Sequence, residues 1–178
     1  MLKSIAYDFL YIFINYFINR IPFWFIRKIL YRLCGLKIGR GSRINMRSFV
    51  FEPWRIRIGK NTIVNEFCTL DGRGTLIIGD NVSISMHTII YSASHDLNSN
   101  TFDYYERKTV IGNGVWIGAR AIILAGTIAN DLCVFGAGSV VTPKEYEEKG
   151  IYAGVPAKKI KERDISYLNI SKNRTFFR

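Results

Sequence analysis

The sequence predicts an all-β solenoid of about five coils, preceded by N-terminal helices and closed by a short C-terminal helix or tail. Three observations predict it. An apolar residue followed by glycine recurs as Ile38-Gly39, Ile58-Gly59, Ile78-Gly79, Ile111-Gly112, Ile117-Gly118 and Phe135-Gly136. Counting in sixes gives five triplets: Ile38, Ile44, Val50; Ile58, Val64, Leu70; Ile78, Ile84, Ile90; Ile111, Ile117, Ile123; and Ala129, Phe135, Val141, with no polar residue among them. The phase survives three interruptions, of two residues before Ile58, two before Ile78 and fifteen before Ile111, and the last two triplets join without a break. Chance alternation does not keep phase through insertions, whereas a triangular coil with one apolar side chain turned inward on each side does. Stacked coils pair as parallel strands, so five of them at ~4.8 Å stand about 24 Å tall. The small residue after each inward position is expected to let the chain turn the corner.

The organisation read along the chain is N-terminal helices over 1–35, the repeat over 36–157 with a loop at 91–109, and a basic helix or tail over 158–178. With 178 residues and 20.5 kDa, one domain with appendages is expected. Apolar residues at 48% and charged residues at 22% exclude wholesale disorder and a polytopic membrane protein.

Residues 5–33 are apolar and aromatic, but the longest charge-free run, Phe9 to Asn19, falls short of the ~20 residues that span a bilayer. Asp8 and the bulky Asn-Arg-Ile-Pro-Phe-Trp segment at 19–24 argue against an export signal. Two helices broken at Pro22 remain, since proline is tolerated in a first helical turn but not mid-helix. The second intersperses Arg27, Lys28 and Arg32 among Phe23, Trp24, Phe25, Ile29 and Leu30. That pattern fits either a membrane-surface anchor or a cap over the open end of the solenoid.

The net charge of +11 is uneven: residues 1–47 hold nine Lys/Arg and one acid, 48–157 nine and eleven, and 158–178 seven and two. A nucleic-acid binder is expected to carry a basic stripe on its folded body, so no nucleic-acid partner is expected. A phosphate-bearing small molecule or an anionic membrane surface fits the charged ends better. Cys34, Cys68 and Cys133 are odd in number and widely spaced, giving neither a disulfide framework nor a metal motif, and are read as thiols of a reducing compartment.

Residues 36–160 resemble the hexapeptide-repeat acyltransferases of the sugar O-acetyltransferase type. The repeat carries the likeness, with Val110-Ile-Gly-Asn-Gly-Val-Trp-Ile-Gly118, Ala125-Gly126, Phe135-Gly-Ala-Gly-Ser-Val-Val-Thr142 and Tyr152-Ala-Gly-Val-Pro-Ala157 as its most specific stretches. The resemblance implies a left-handed parallel β-helix, a homotrimer, and acetyl-CoA as acyl donor with no metal. It places the catalytic base at His95, at the root of the long loop, where a neutral imidazole can take a hydroxyl proton. It places the acceptor at Asn65 and Asp71, with Glu66 and Asp96 as neighbouring alternatives. The donor is expected along a groove beside Trp116, Ala119, Ala137 and Thr142, with Lys158 and Lys161 meeting the nucleotide phosphates. After Thr142, where some relatives carry lysine, this chain has Pro143 and then Lys144.

His87 is read as structural, and with two histidines the three-histidine zinc site of the carbonic anhydrases on this scaffold cannot be built in its usual form. No activated thiol nucleophile is evident, so direct transfer from donor to acceptor is expected. The resulting expectation is an acetyl-CoA-dependent O-acetyltransferase acting on a sugar hydroxyl, in capsule, exopolysaccharide or lipopolysaccharide assembly. The location it implies is cytoplasmic, with a peripheral place on the inner membrane face if the helices anchor. Transfer to an antibiotic, to serine or to a sugar amine, and a non-catalytic scaffold, are the alternatives.

Overall fold

The computed structural model describes residues 2–166 and 168. Leu36 begins a three-sided parallel solenoid whose faces are sheets of very short strands. The first face stacks strands starting at Lys37, Ile56, Leu76, Thr109, Ile128 and Glu145; the second, strands starting at Arg43, Ile63, Ser83, Trp116, Val134 and Gly150; the third, strands starting at Phe49, Thr69, Ile89, Ile122 and Val140. All fifteen positions of the six-residue count are buried and form one continuous core.

The solenoid has six turns, the last incomplete, rather than five. After Val141 the next inward residue is Tyr146, one short of the six-residue step, followed by Tyr152. Tyr146 and Tyr152 pack with Phe135, at ring centroids of 4.8 to 5.8 Å, and plug the C-terminal end of the core. The C-terminal segment also departs from expectation. Lys158–Glu162 is a strand, turned back antiparallel on Gly150–Ala153, not a helix. The edge strand of the last coil offers unpaired backbone groups, and the return strand takes them up. The tail from residue 169 onward lies outside the described residues.

Corner geometry corrects the expected role of the glycines. On two of the three corners the chain turns three residues after the inward position, where φ is positive: Gly41, Asn61, Asn81, Gly114, Leu132 and Lys149 on one corner, Arg47, Phe67, His87, Arg120 and Gly138 on the next. The glycine directly after the inward residue serves close approach instead. A Cβ on Gly39 would lie 2.5 Å from the Gly59 carbonyl oxygen, and one on Gly118 2.5 Å from the Ala137 nitrogen. Left-handed positions in register also stack their side chains. The Phe67 and His87 rings lie parallel at 4.9 Å, the spacing of the coils themselves, which agrees with the structural reading of His87.

The N-terminal segment forms α1 (Leu2–Ile12), a π-helical turn at Phe13–Phe17, a short 3₁₀ turn at Ile18–Arg20, and α2 (Trp24–Leu33), broken at Pro22 as the sequence predicts. It covers the open edge of the first coil. Asn15 imitates a strand residue: its Nδ2 donates to the Val50 carbonyl at 3.1 Å and its Oδ1 accepts the Val50 N–H at 2.7 Å. Asn19 donates to the Ser48 carbonyl, and Arg32 to that of Ile38 at 2.7 Å. Buried Arg27 donates to the Ile21, Pro22 and Ile44 carbonyls.

Arg27, Lys28 and Arg32, the basic residues read as part of a candidate anchor, thus turn their charged groups onto carbonyl oxygens of the first coil. Replacing Asn15 with alanine strands two buried backbone groups of Val50, an expected loss of about 2–4 kcal/mol. A drop in melting temperature of roughly 4–16 °C should follow; an unchanged melting curve would show that the cap does not hold the edge. No helix of the described residues is long and apolar enough to cross a membrane.

Candidate active site

The long excursion after Ile90 is a β-hairpin, not an irregular loop. Ala93–His95 pairs antiparallel with Tyr104–Glu106, placing His95 opposite Tyr104. His95 is the last paired residue before the tip, with its ring exposed. Its Nδ1 lies 2.7 Å from the main-chain oxygen of Phe102. A carbonyl oxygen only accepts, so Nδ1 carries a proton, and in the neutral ring the lone pair falls to Nε2. Phe102 adopts a left-handed φ of 54° within the tip.

Among the described residues no carboxylate is hydrogen-bonded to the ring. Asp96, one of the alternatives, accepts the Asn98 N–H at 2.9 Å and closes the hairpin tip.

Beside His95 lies a cleft of about 330 Å³ lined by Arg73, Tyr91, Tyr104, Ala125 and Pro143 among others. Arg73 explains the position of Asp71. Asp71 is fully buried and takes the Arg73 Nε at 2.9 Å and Nη2 at 3.0 Å, together with the main-chain N–H groups of Arg73 and Ser92. The carboxylate next to Arg73 in turn raises the guanidinium pKa, making its charge permanent.

The carboxylate thus points into the chain, and Arg73 is what it presents to the cleft. Arg73 then lies over the ring of Tyr104, which meets His95 edge-on at 6.0 Å. On the outer side of the hairpin, Glu106 pairs with Arg55 at 2.8 Å. The imidazole is therefore held by the Phe102 main chain and the Tyr104 ring, and the ion pair ties the returning hairpin strand to the solenoid.

The other candidate residues lie elsewhere. Asn65 sits at the corner between the second and third faces, donating to the Ile84 carbonyl at 2.9 Å and accepting from Asn45. Glu66 beside it accepts from the same Asn45 amide. Trp116 is 48% exposed on the second face, with Nε1 on the Ser85 hydroxyl at 3.2 Å. Half-buried Ala119 and exposed Ala137 follow at that same corner, and Gly138 beside Ala137 faces open space. Thr142 is at the His95 corner, its backbone held by the Tyr146 hydroxyl, and Lys144 lies over the Tyr146 ring. Lys158 and Lys161 are exposed on the return strand.

The structure thus brings Asp71 and Thr142 to the corner of His95, and leaves Asn65, Trp116, Ala119 and Ala137 on a neighbouring corner. One side of the triangle separates the two, six residues or about 20 Å at full extension. Arg73, Tyr104 and the Phe102 carbonyl are additions the sequence reading did not name. The paired aromatic-and-acid run Phe102-Asp-Tyr-Tyr-Glu was the available sign of a second hairpin strand.

Neither buried thiol is activated as a nucleophile. Burial pushes Cys68 up to about 12 and Cys133 up to about 11, leaving no thiolate near neutrality. Among the described residues no three His, Cys, Asp or Glu side chains gather to hold a metal ion.

Comparison with known proteins agrees with this architecture. Residues 108–143, the stretch where the six-residue count runs unbroken, match the family described as bacterial transferase hexapeptide (six repeats). The galactoside O-acetyltransferase of Escherichia coli (strain K12) is 37% identical over 111 residues, 60% of this chain and 54% of that protein. The chain spans about half the length of the curated relatives it matches.

Among solved structures, a hexapeptide-repeat-containing acetyltransferase from Vibrio cholerae superposes with a TM-score of 0.82 at 27% identity, covering 90% of this chain and 92% of that one. Its complex with acetyl coenzyme A gives 0.77 at 27% identity, over 84% and 82%. A galactoside acetyltransferase in complex with coenzyme A also gives 0.77 at 27% identity, over 93% of this chain and 82% of that one. By repeat, family model and fold, the chain is similar to the hexapeptide-repeat acetyltransferases.

Proposed function

We propose that the protein transfers an acetyl group from acetyl-CoA to a sugar hydroxyl, with His95 as general base. The observation that supports this reading is the His95–Phe102 hydrogen bond, which selects the neutral tautomer whose lone pair is on Nε2, beside a cleft. The acceptor O–H gives its proton to Nε2 as its oxygen bonds to the thioester carbonyl carbon. The carbon–sulfur bond then breaks, and the departing thiolate takes the proton from His95. The imidazole ends as it began, and no acyl-enzyme is needed.

Trp116, Ala119 and Ala137 suit the donor because small exposed side chains let a pantetheine arm reach main-chain groups, with Lys158 and Lys161 available to its phosphates. Since these residues occupy a different corner from His95, a complete site requires a second copy of the chain. A homotrimer would set the His95 corner of one protomer against the Asn65 and Trp116 corner of its neighbour.

The helical cap leaves Phe9, Phe17, Phe25 and Leu33 exposed on its outer side, a surface suited to a membrane face carrying a lipid-linked acceptor. Release of free thiol from acetyl-CoA in the presence of nucleotide-linked and lipid-linked sugars tests the reading. Sugar-dependent release is expected; its absence across neutral and charged sugars, with antibiotics or serine active instead, would assign another acceptor class.

A further inference from the structure

A cavity of about 460 Å³, within the range of small-molecule sites, lies where the helical cap meets the first two coils, at the corner that carries Asn65. Tyr16, Asn19, Arg20, Arg47, Phe49 and Phe67 line it. Three features mark it as built to receive a ligand.

Asn19 is 3% exposed and its Nδ2 is spent on the Ser48 carbonyl, yet its buried Oδ1 has no hydrogen-bond partner among the described residues. A buried acceptor left unmade costs free energy unless something completes it. Arg20 and Arg47 are exposed at the cavity and enter no ion pair among the described residues. The π-helical turn at Phe13–Phe17, a distortion associated with functional sites, delivers Asn15 and Tyr16 to its wall.

We infer that this cavity binds the acceptor, and that the acceptor is a sugar bearing an oxyanion. The Tyr16 and Phe49 rings suit a pyranose ring, Asn19 Oδ1 offers an acceptor to one of its hydroxyls, and the two guanidinium groups, that of Arg47 held over the Phe67 ring, take a phosphate or carboxylate substituent. This rests on the acetyltransferase reading above and adds the acceptor class to it. A neutral sugar would leave both guanidinium groups without an anionic partner, that of Arg47 keeping only the Phe67 ring beneath it.

The test is equilibrium binding of glucose 1-phosphate, glucuronate and glucose to the full chain, wild type and Arg20→Gln and Arg47→Gln. At low salt at least one anionic sugar is expected to bind tenfold or more tightly than glucose, and which of the two is tighter identifies phosphate or carboxylate as the group recognised. Each substitution should remove that preference while acetyl-CoA affinity stays the same. In the wild type, about 0.5 M salt should reduce the preference as well, a readout independent of any variant. Equal binding of the three sugars, or a preference that survives both substitutions and salt, overturns the inference. Because acetyl-CoA binding is measured on the same proteins, loss of the donor reading shows separately.

Discussion

Replacing His95 with alanine is expected to slow acetyl transfer by about 10²–10⁴-fold, the usual contribution of a positioned general base. Binding of acetyl-CoA and the assembly state should be unchanged. The ring is exposed, packs on Tyr104 by its edge alone, and supports the hairpin through one bond to the Phe102 carbonyl, so its removal leaves the solenoid intact. Asparagine tests the role more sharply. Its amide can occupy the same space but cannot accept a proton at neutral pH, so His95→Asn should be as slow as alanine. A variant that folds, binds acetyl-CoA and transfers at the wild-type rate would remove His95 from the mechanism.

The second large effect concerns Asp71. Its carboxylate is fully buried and accepts four hydrogen bonds, two from Arg73 and its fork and two that include the main-chain N–H groups at the root of the His95 hairpin. Ser92 binds the same corner from the other side, donating to the Asp71 carbonyl at 2.7 Å. Asp71→Ala leaves Arg73 and two backbone donors without their acceptor. The ion pair alone is discounted because Arg73 is a third exposed to solvent, and the expected loss is about 3 kcal/mol.

The melting temperature should fall by roughly 6–12 °C. Transfer should slow too, because Arg73 braces Tyr104 and Tyr104 braces His95. Asp71→Asn keeps an acceptor oxygen and should lose less. Equal stability of the alanine variant and wild type in thermal melts would contradict the anchoring role.

How far the sequence could be read depended on what constrained each position. The interior of a triangular coil admits one side chain per side, so Ile38 through Val141 announce themselves by count alone. The sixth coil was hidden because Tyr146 arrives one residue early and because a tyrosine core residue does not look like its aliphatic predecessors. Lys158–Glu162 was misread because a run of charged residues carries no period, while an unpaired sheet edge decides its conformation from outside.

Arg27 and Arg32 had the spacing of an interfacial helix, but their partners are carbonyl oxygens of the first coil, contacts that helical periodicity does not encode. At the candidate site, His95 was singled out by the family resemblance together with its place at the root of a long insertion. Its orienting partner was not, since a main-chain carbonyl leaves no residue signature. Asp71 was legible as a residue of this corner, and its service to Arg73 emerged only from the geometry.

The central claim is that this solenoid is an acetyl-CoA enzyme, and calorimetric titration of the purified full chain with acetyl-CoA tests it most directly, because no acceptor need be known. The account predicts saturable binding close to one molecule per chain, retained in His95→Ala. No binding at millimolar acetyl-CoA by a folded, assembled protein would contradict it and leave a hexapeptide-repeat scaffold without a donor.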